Sequence, residues 1–296
     1  MTAHLPEPSA SPSGPSAPLA HHDPRGVLRA HDLWAKKKFG QNFLVDPAIP
    51  ARIAQAGGVG GQDVVFEIGA GVGTLTRELA SRAARVTALE IDRELLPVLR
   101  AETALAPNVT VREGDVRRID WAAEAAAAGQ PLVIYGNIPY NLSSEIVSGL
   151  LEAPAGTWRR ACLLLQWEFA QRVAAAPGDD ACGTLSALAW LFSHPSLLFG
   201  VPATAFHPVP QVDSAVLVLE RRDTPAVDAD PVIYRRLVKA LFAQRRKMAR
   251  KALKPICGDP EALCARAGVD ATRRGETFTL TELGALAAAL PDFPPG

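Results

Sequence analysis

Excess charge is the first thing this chain lacks. Its 296 residues hold 31 Lys and Arg against 31 Asp and Glu, a formal net charge of zero. Global electrostatics therefore draw in no polyanion, and any nucleic-acid face has to be a local basic patch. Cysteine is scarce too. Its four residues, Cys162, Cys182, Cys257 and Cys264, form no C-x-x-C pair and have no histidine cluster beside them. That spacing argues against a zinc ribbon or a disulfide framework and fits free buried thiols in a reducing cytoplasm. No apolar run approaches the ~20 residues of a membrane span, so neither a membrane nor a metal partner is expected.

What is present reads as a globular protein, with 48% hydrophobic and 21% charged residues and a length suited to about two domains. Residues 1–25 are rich in Pro, Ala, Ser and His, with no apolar h-region and no Arg before Arg25. A disordered tail is expected there rather than a targeting segment. His4, His21 and His22 are read as solvated side chains, not metal ligands. Over 26–222, strand patterns at 63–68, 85–91, 109–113, 131–135, 160–166 and 214–220 alternate with helical spacing at 74–83, 93–102 and 143–151. Such alternation implies right-handed crossovers and a parallel, Rossmann-like α/β sheet. Residues 223–296 lose the β-branched alternation, and helices at 234–253, 260–267 and 281–290 suggest a small all-helical domain.

The first strand runs into Glu67-Ile68-Gly69-Ala70-Gly71-Val72-Gly73. Glycines there let the backbone approach a ligand closely, although nicotinamide-binding folds use the same device. The spacing is E-x-G-x-G-x-G, and Thr74 stands where a dinucleotide fingerprint needs glycine. Glu67 also suits an ammonium and a sulfonium better than a pyrophosphate. Both details favour S-adenosylmethionine, with Gly69 and Gly71 as backbone contacts. Glu90 ends the second strand, where an acid can grip both ribose hydroxyls. Asp115, after the third strand, is placed to accept from the cofactor's adenine amino group. Each acid alone could be a helix cap; their register at three consecutive strand ends points to a ligand.

The fourth strand ends in Gly136-Asn137-Ile138-Pro139-Tyr140-Asn141. An adenine amine is a poor nucleophile because its lone pair is delocalised into the ring. The Asn137 oxygen and a backbone carbonyl of the same turn can each accept one N–H, favouring a pyramidal nitrogen. Pro139 stiffens the turn and donates nothing. Tyr140 offers a face for a flipped base.

At this point the chain resembles the small-subunit ribosomal RNA adenine dimethyltransferases, which are related to antibiotic-resistance rRNA methyltransferases. The resemblance rests on Lys38-Phe39-Gly40-Gln41-Asn42-Phe43-Leu44, the glycine-rich turn, Asn137-Ile138-Pro139-Tyr140-Asn141, Phe206-His207-Pro208-Val209-Pro210-Gln211-Val212-Asp213-Ser214-Ala215-Val216, and Ala243-Gln244-Arg245-Arg246-Lys247. It implies a class I methyltransferase sheet, and adds Asn42 and Leu44 to Gly69, Glu90, Asp115 and Asn137 as cofactor-holding residues. The implied substrate is a pair of adjacent adenosines near the 3′ end of 16S rRNA, each dimethylated during late assembly of the 30S subunit. A monomeric cytoplasmic enzyme is expected. The nearest alternatives are a 23S rRNA resistance-type methyltransferase and a chiefly non-catalytic assembly factor.

Further expectations concern RNA. Lys36, Lys37 and Lys38 beside Phe39 form a basic patch with an aromatic. Phe206 is expected as a second wall of the base pocket, opposite Tyr140. Arg236, Lys239, Arg245, Arg246, Lys247, Arg250 and Lys251 lie in an acid-free span and supply the missing basic surface. Trp167 stands where relatives usually place Lys, which unsettles one cationic contact. The expected chemistry is direct in-line transfer without general base or metal, its rate gained mainly by positioning.

Overall fold

The protein is described here from a computed structural model covering residues 22–292. The tail expected over 1–25 falls largely outside the described residues, and Pro24 and Arg25 already belong to a helix, α1 (Pro24–Ala30), capped by Asp23. The strands are β1 (Phe43–Leu44), β2 (Val64–Ile68), β3 (Arg85–Glu90), β4 (Val109–Glu113), β5 (Leu132–Asn137), β6 (Trp158–Gln166), β7 (Ser193–Val201), β8 (Phe206–His207) and β9 (Ser214–Arg221). Between β1 and β9 the helices are α2 (Ala48–Ala56), α3 (Thr74–Ala80), α4 (Leu96–Glu102), α5 (Trp121–Ala128), α6 (Ser143–Glu152), α7 (Trp167–Ala174) and α8 (Thr184–Phe192). After β9 come α9 (Pro231–Ala243), α10 (Ala249–Ala252), α11 (Pro260–Arg266) and α12 (Leu280–Ala289).

Seven strands form one sheet in the order β4-β3-β2-β5-β6-β9-β7. The expected parallel pairing holds from β4 to β6; β9 and β7 then run antiparallel to their neighbours. Strand β7 was not expected. Pro195 and Gly200 interrupt its apolar pattern, and both are tolerated because it is an edge strand. Central β5 is buried on both faces, with Leu132 and Ile134 against Ile146, Val147 and Leu150 of α6. Val133 and Tyr135 turn the other way, toward Ile53 of α2 and Leu79 of α3. Each such burial contributes about 1.5–3 kcal/mol, so the edge that carries the loops is held rigidly. All four cysteines are free and buried, and burial pushes the Cys162 thiol up to about 12. Among the described residues no helix is long and apolar enough to cross a membrane, and no cluster of metal-ligating side chains occurs.

The single helix expected over 234–253 is broken. Asp230 caps α9 through Val232 N and Ile233 N, and the helix stops at Gln244. The amides of Ala249 and Arg250 bond instead to the carbonyls of Arg273 and Ala271, so a distant loop claims the donors that would have continued it. The C-terminal helices share one core with α8 and β9, with Tyr234, Leu237 and Leu241 fully buried.

Candidate cofactor and active-site cleft

A cleft opens at the carboxyl edge of β2, β3 and β5, roofed by residues 39–44. Gly69 and Gly71 take φ of +71° and +59°, and a Cβ on Gly71 would sit 3.1 Å from the Phe43 ring. Both positions therefore favour glycine for conformation, and Gly71 for space as well. Asn42, Leu44, Glu67, Gly69, Gly71, Glu90, Asn137, Pro139 and Tyr140, all expected in the site, line this one cleft.

Glu67 is 2% exposed and accepts one hydrogen bond, from Thr76 Oγ1 at 2.6 Å. Burial raises its pKa to about 7, with the nearby charge of Glu90 adding to the effect and Thr76 opposing it. Glu90 is held by three backbone amides: Gly71 N at 2.7 Å on Oε2, and Ile91 N and Asp92 N at 2.9 and 2.8 Å on Oε1. A carboxylate has about four acceptor positions. The two-hydroxyl grip expected of Glu90 is therefore not preformed, and one position on Oε2 is left.

Asn137 donates Nδ2–H to the Asn42 carbonyl at 2.8 Å, and its Oδ1 has no protein partner among the described residues. In the same turn, the Pro139 carbonyl accepts from Leu142 N and Ser143 Oγ. Tyr140 is fixed by a 2.8 Å hydrogen bond between its hydroxyl and Ser214 Oγ, and burial pushes its pKa up despite that bond.

Several expected residues lie elsewhere. Asp115 does not line the cleft: it caps the short turn after β4, and its carboxylate is engaged twice over by Arg117, with contacts down to 2.6 Å. The cap expected as the alternative for this acid is thus present, with Arg117 two residues on as its partner. Phe206 is 2% exposed, and pairing of β8 with β1 sets it beside Leu44. It packs in the core with Val216 and Tyr135 and is not among the residues lining the cleft. Lys36 is no free phosphate contact; its ammonium pairs with Asp92 at 2.7 Å and Glu94 at 2.9 Å. Lys38 is exposed, 4.8 Å over the Phe39 ring; the side chain of Lys37 lies outside what is described. Arg245 donates to the carbonyls of Asp180 and Cys182 at 2.8 and 2.6 Å, tying the C-terminal helices to the segment before α8. Arg246 and Lys247 are exposed, and their side chains have no partner among the described residues.

The sequence reading missed the clasp over the cleft. Asp92 is 3% exposed and receives Lys36 on Oδ1 and Gln41 Nε2 on Oδ2, while its own amide supports Glu90. Burial opposes its charge, but the two donors prevail and hold its pKa low. Phe39 also lines the cleft. Both Gln41 and Phe39 stand in the Lys38–Leu44 motif, but only the fold shows what they touch.

A family model described as ribosomal RNA adenine dimethylase matches residues 33–277. A ribosomal RNA small subunit methyltransferase A from Magnetococcus marinus is 43% identical over 262 residues, 88% of this chain and 94% of its own. The counterpart from Anaeromyxobacter sp. is 45% identical over 279 residues, 90% of this chain and 97% of its own. Among solved structures, the 23S rRNA methyltransferase ErmE aligns with a TM-score of 0.67 at 30% identity, over 84% of this chain and all of that one. A dimethyladenosine transferase from Plasmodium falciparum shares the fold, with a TM-score of 0.67 at 23% identity over 81% of this chain and 94% of its own. Matched by that model over residues 33–277 and by these relatives over about nine-tenths of its length, the chain belongs to the ribosomal RNA adenine dimethylase family.

Proposed function

We propose that the protein transfers methyl groups from S-adenosylmethionine to the 6-amino groups of two adjacent adenosines near the 3′ end of 16S rRNA, within the assembling 30S subunit. The observation that carries this is the Asn137 amide. With its nitrogen committed to Asn42, its oxygen is the acceptor on a cleft that also presents Glu67 and Glu90.

The cleft fits the cofactor's chemistry. Glu67 is a buried acid whose pKa burial raises to about 7 and a neighbouring cation would lower; Glu90 keeps one acceptor position for a hydroxyl; Gly69 and Gly71 leave the backbone bare. S-adenosylmethionine, when bound, supplies an electrophilic methyl group. The chain's part is to place the amine. Asn137 Oδ1 accepts one amine hydrogen, and because the Pro139 carbonyl is already engaged, the second acceptor falls to Ile138. The Tyr140 ring, locked by Ser214, stacks on one face of the base. Phe39, not Phe206, takes the opposite wall. The amine is neutral on attack and sheds its proton afterwards, so no preceding base is needed. Arg246, Lys247 and Lys38 meet RNA phosphates, while Lys36 and Arg245 serve the fold.

The test is mass spectrometry of nucleosides from unmodified 16S and 23S rRNA incubated with the protein and S-adenosylmethionine. Dimethyladenosine in the 16S digest is expected. Product in the 23S digest alone would favour the resistance-type reading, and product in neither would leave the assembly-factor reading.

A further inference from the structure

A second cavity of about 580 Å³ lies on the same sheet edge, past the Tyr140 wall. It opens where β6 ends, β9 begins and β7 ends, and is lined by Gln166, Trp167, Glu168, Pro202, Val212 and Asp213. Strand β9 is two strands from β5, or roughly 10 Å at about 4.8 Å per spacing. The two sites share a wall, because the hydroxyl of Tyr140 bonds Ser214, the residue after Asp213.

The lining is built for a flat, donor-rich ring. Trp167 is half-buried, and its indole lies against bare backbone at Gly200, where an added Cβ would come within 3.0 Å of the ring. Its N–H, the Gln166 amide and the Glu168 carboxylate have no hydrogen-bond partner among the described residues. Asp213 gives one oxygen to Ala203 N and keeps the other. Two carboxylates repel a phosphate but accept from base amino groups, and a Gln side chain can meet adenine's donor and acceptor together. Indole faces stack on any base.

We infer that this cavity holds the base of the nucleotide next to the one being methylated, stacked on Trp167 and read by Gln166. The inference rests on the RNA-methylating function proposed above, and it gives Trp167 the role that a lysine would not fill.

The experiment measures equilibrium binding of hairpin RNAs carrying the target adenosine, with an intact or an abasic nucleotide on its 5′ or 3′ side. Trp167→Ala should weaken intact RNA about 5- to 150-fold, the range for one base–aromatic stack. An abasic residue on one side should cost wild-type protein a similar factor and cost the Ala variant nothing more. Trp167→Phe should recover most of the loss, and S-adenosylmethionine affinity should not change. Equal losses for intact and abasic RNA on both sides, or no recovery with Phe, would overturn the assignment. Because the readout is binding, it is independent of the rRNA digest, whose failure would sink the proposed reaction instead.

Discussion

Asn137 holds Asn42 through a 2.8 Å hydrogen bond from its side-chain nitrogen to the Asn42 carbonyl. This bond joins the end of β5 to the roof of the cleft and fixes which end of the amide faces the substrate. Asn137→Ala removes an acceptor that matters most in the transition state, and turnover should fall about 10²–10³-fold. RNA affinity should change little, while some cofactor affinity disappears with the roof. Single-turnover methylation at saturating RNA and cofactor is the measurement, and a near-normal rate would remove Asn137 from the chemistry.

Glu67 makes stability and ligand binding depend on pH in opposite senses. Its folded pKa of about 7 lies above the ordinary 4.5, so the folded state retains a proton that the unfolded chain has released. Stability attributable to this group is intact below about pH 4.5 and declines as pH rises to about 7. Glu67→Gln should therefore raise the melting temperature at pH 8 and not at pH 4.5. A bound cation favours the ionised form, so cofactor affinity should rise between pH 6 and 8 in the wild type and less so in Glu67→Gln. Calorimetry in buffers of different ionisation enthalpy would detect the released proton. Identical pH profiles for both proteins would show that Glu67 faces no cation.

The Asp92 clasp should govern access to the cleft. Asp92→Asn removes the charge that receives Lys36 and one acceptor for the loop, at a cost of about 1–3 kcal/mol. Its pKa is held low, so the clasp is fully present above the ordinary carboxylate range near 3.8 and is lost only in stronger acid. Hydrogen exchange over residues 36–44 should accelerate in the variant, and cofactor dissociation with it. Unchanged exchange there would mean the segment is held by β1 pairing alone.

Basic residues of the 245–247 run should separate into two behaviours. Each cation withdrawn from an RNA phosphate lowers the slope of log affinity against log salt by about 0.7–0.9. Replacing Arg246 and Lys247 with Gln should flatten the slope by about 1.4–1.8 without altering thermal stability. Arg245→Gln should leave the slope alone and destabilise the protein by about 1 kcal/mol, since two carbonyls are deprived of their donor. Equal slope changes in all three single variants would place Arg245 on the RNA as well.

The sequence by itself determined the parallel half of the sheet, the glycine-rich turn and the turn at Asn137. Those features are written in local periods and in residue types that few other conformations accept: continuous apolar runs for β2 and β5, glycine where φ is positive, Pro139 where the backbone must stop donating. What only the tertiary structure decided are choices among partners. Asp115 and Glu90 are both acids at strand ends in the sequence, yet Arg117 stands two residues away from one, and three backbone amides surround the other. Lys36 and Arg245 carry the same charge as Lys38 and Arg246, but Asp92 lies 56 positions from Lys36 and the Asp180 carbonyl 65 from Arg245. Phe206 turned inward because β8 pairs with β1, far back in the chain. Strand β7 and the break after α9 belong with these, since edge pairing with β9 settles the first and amides captured by a later loop settle the second. A side chain's chemistry is local, but what satisfies it is whatever the fold brings within about 3 Å.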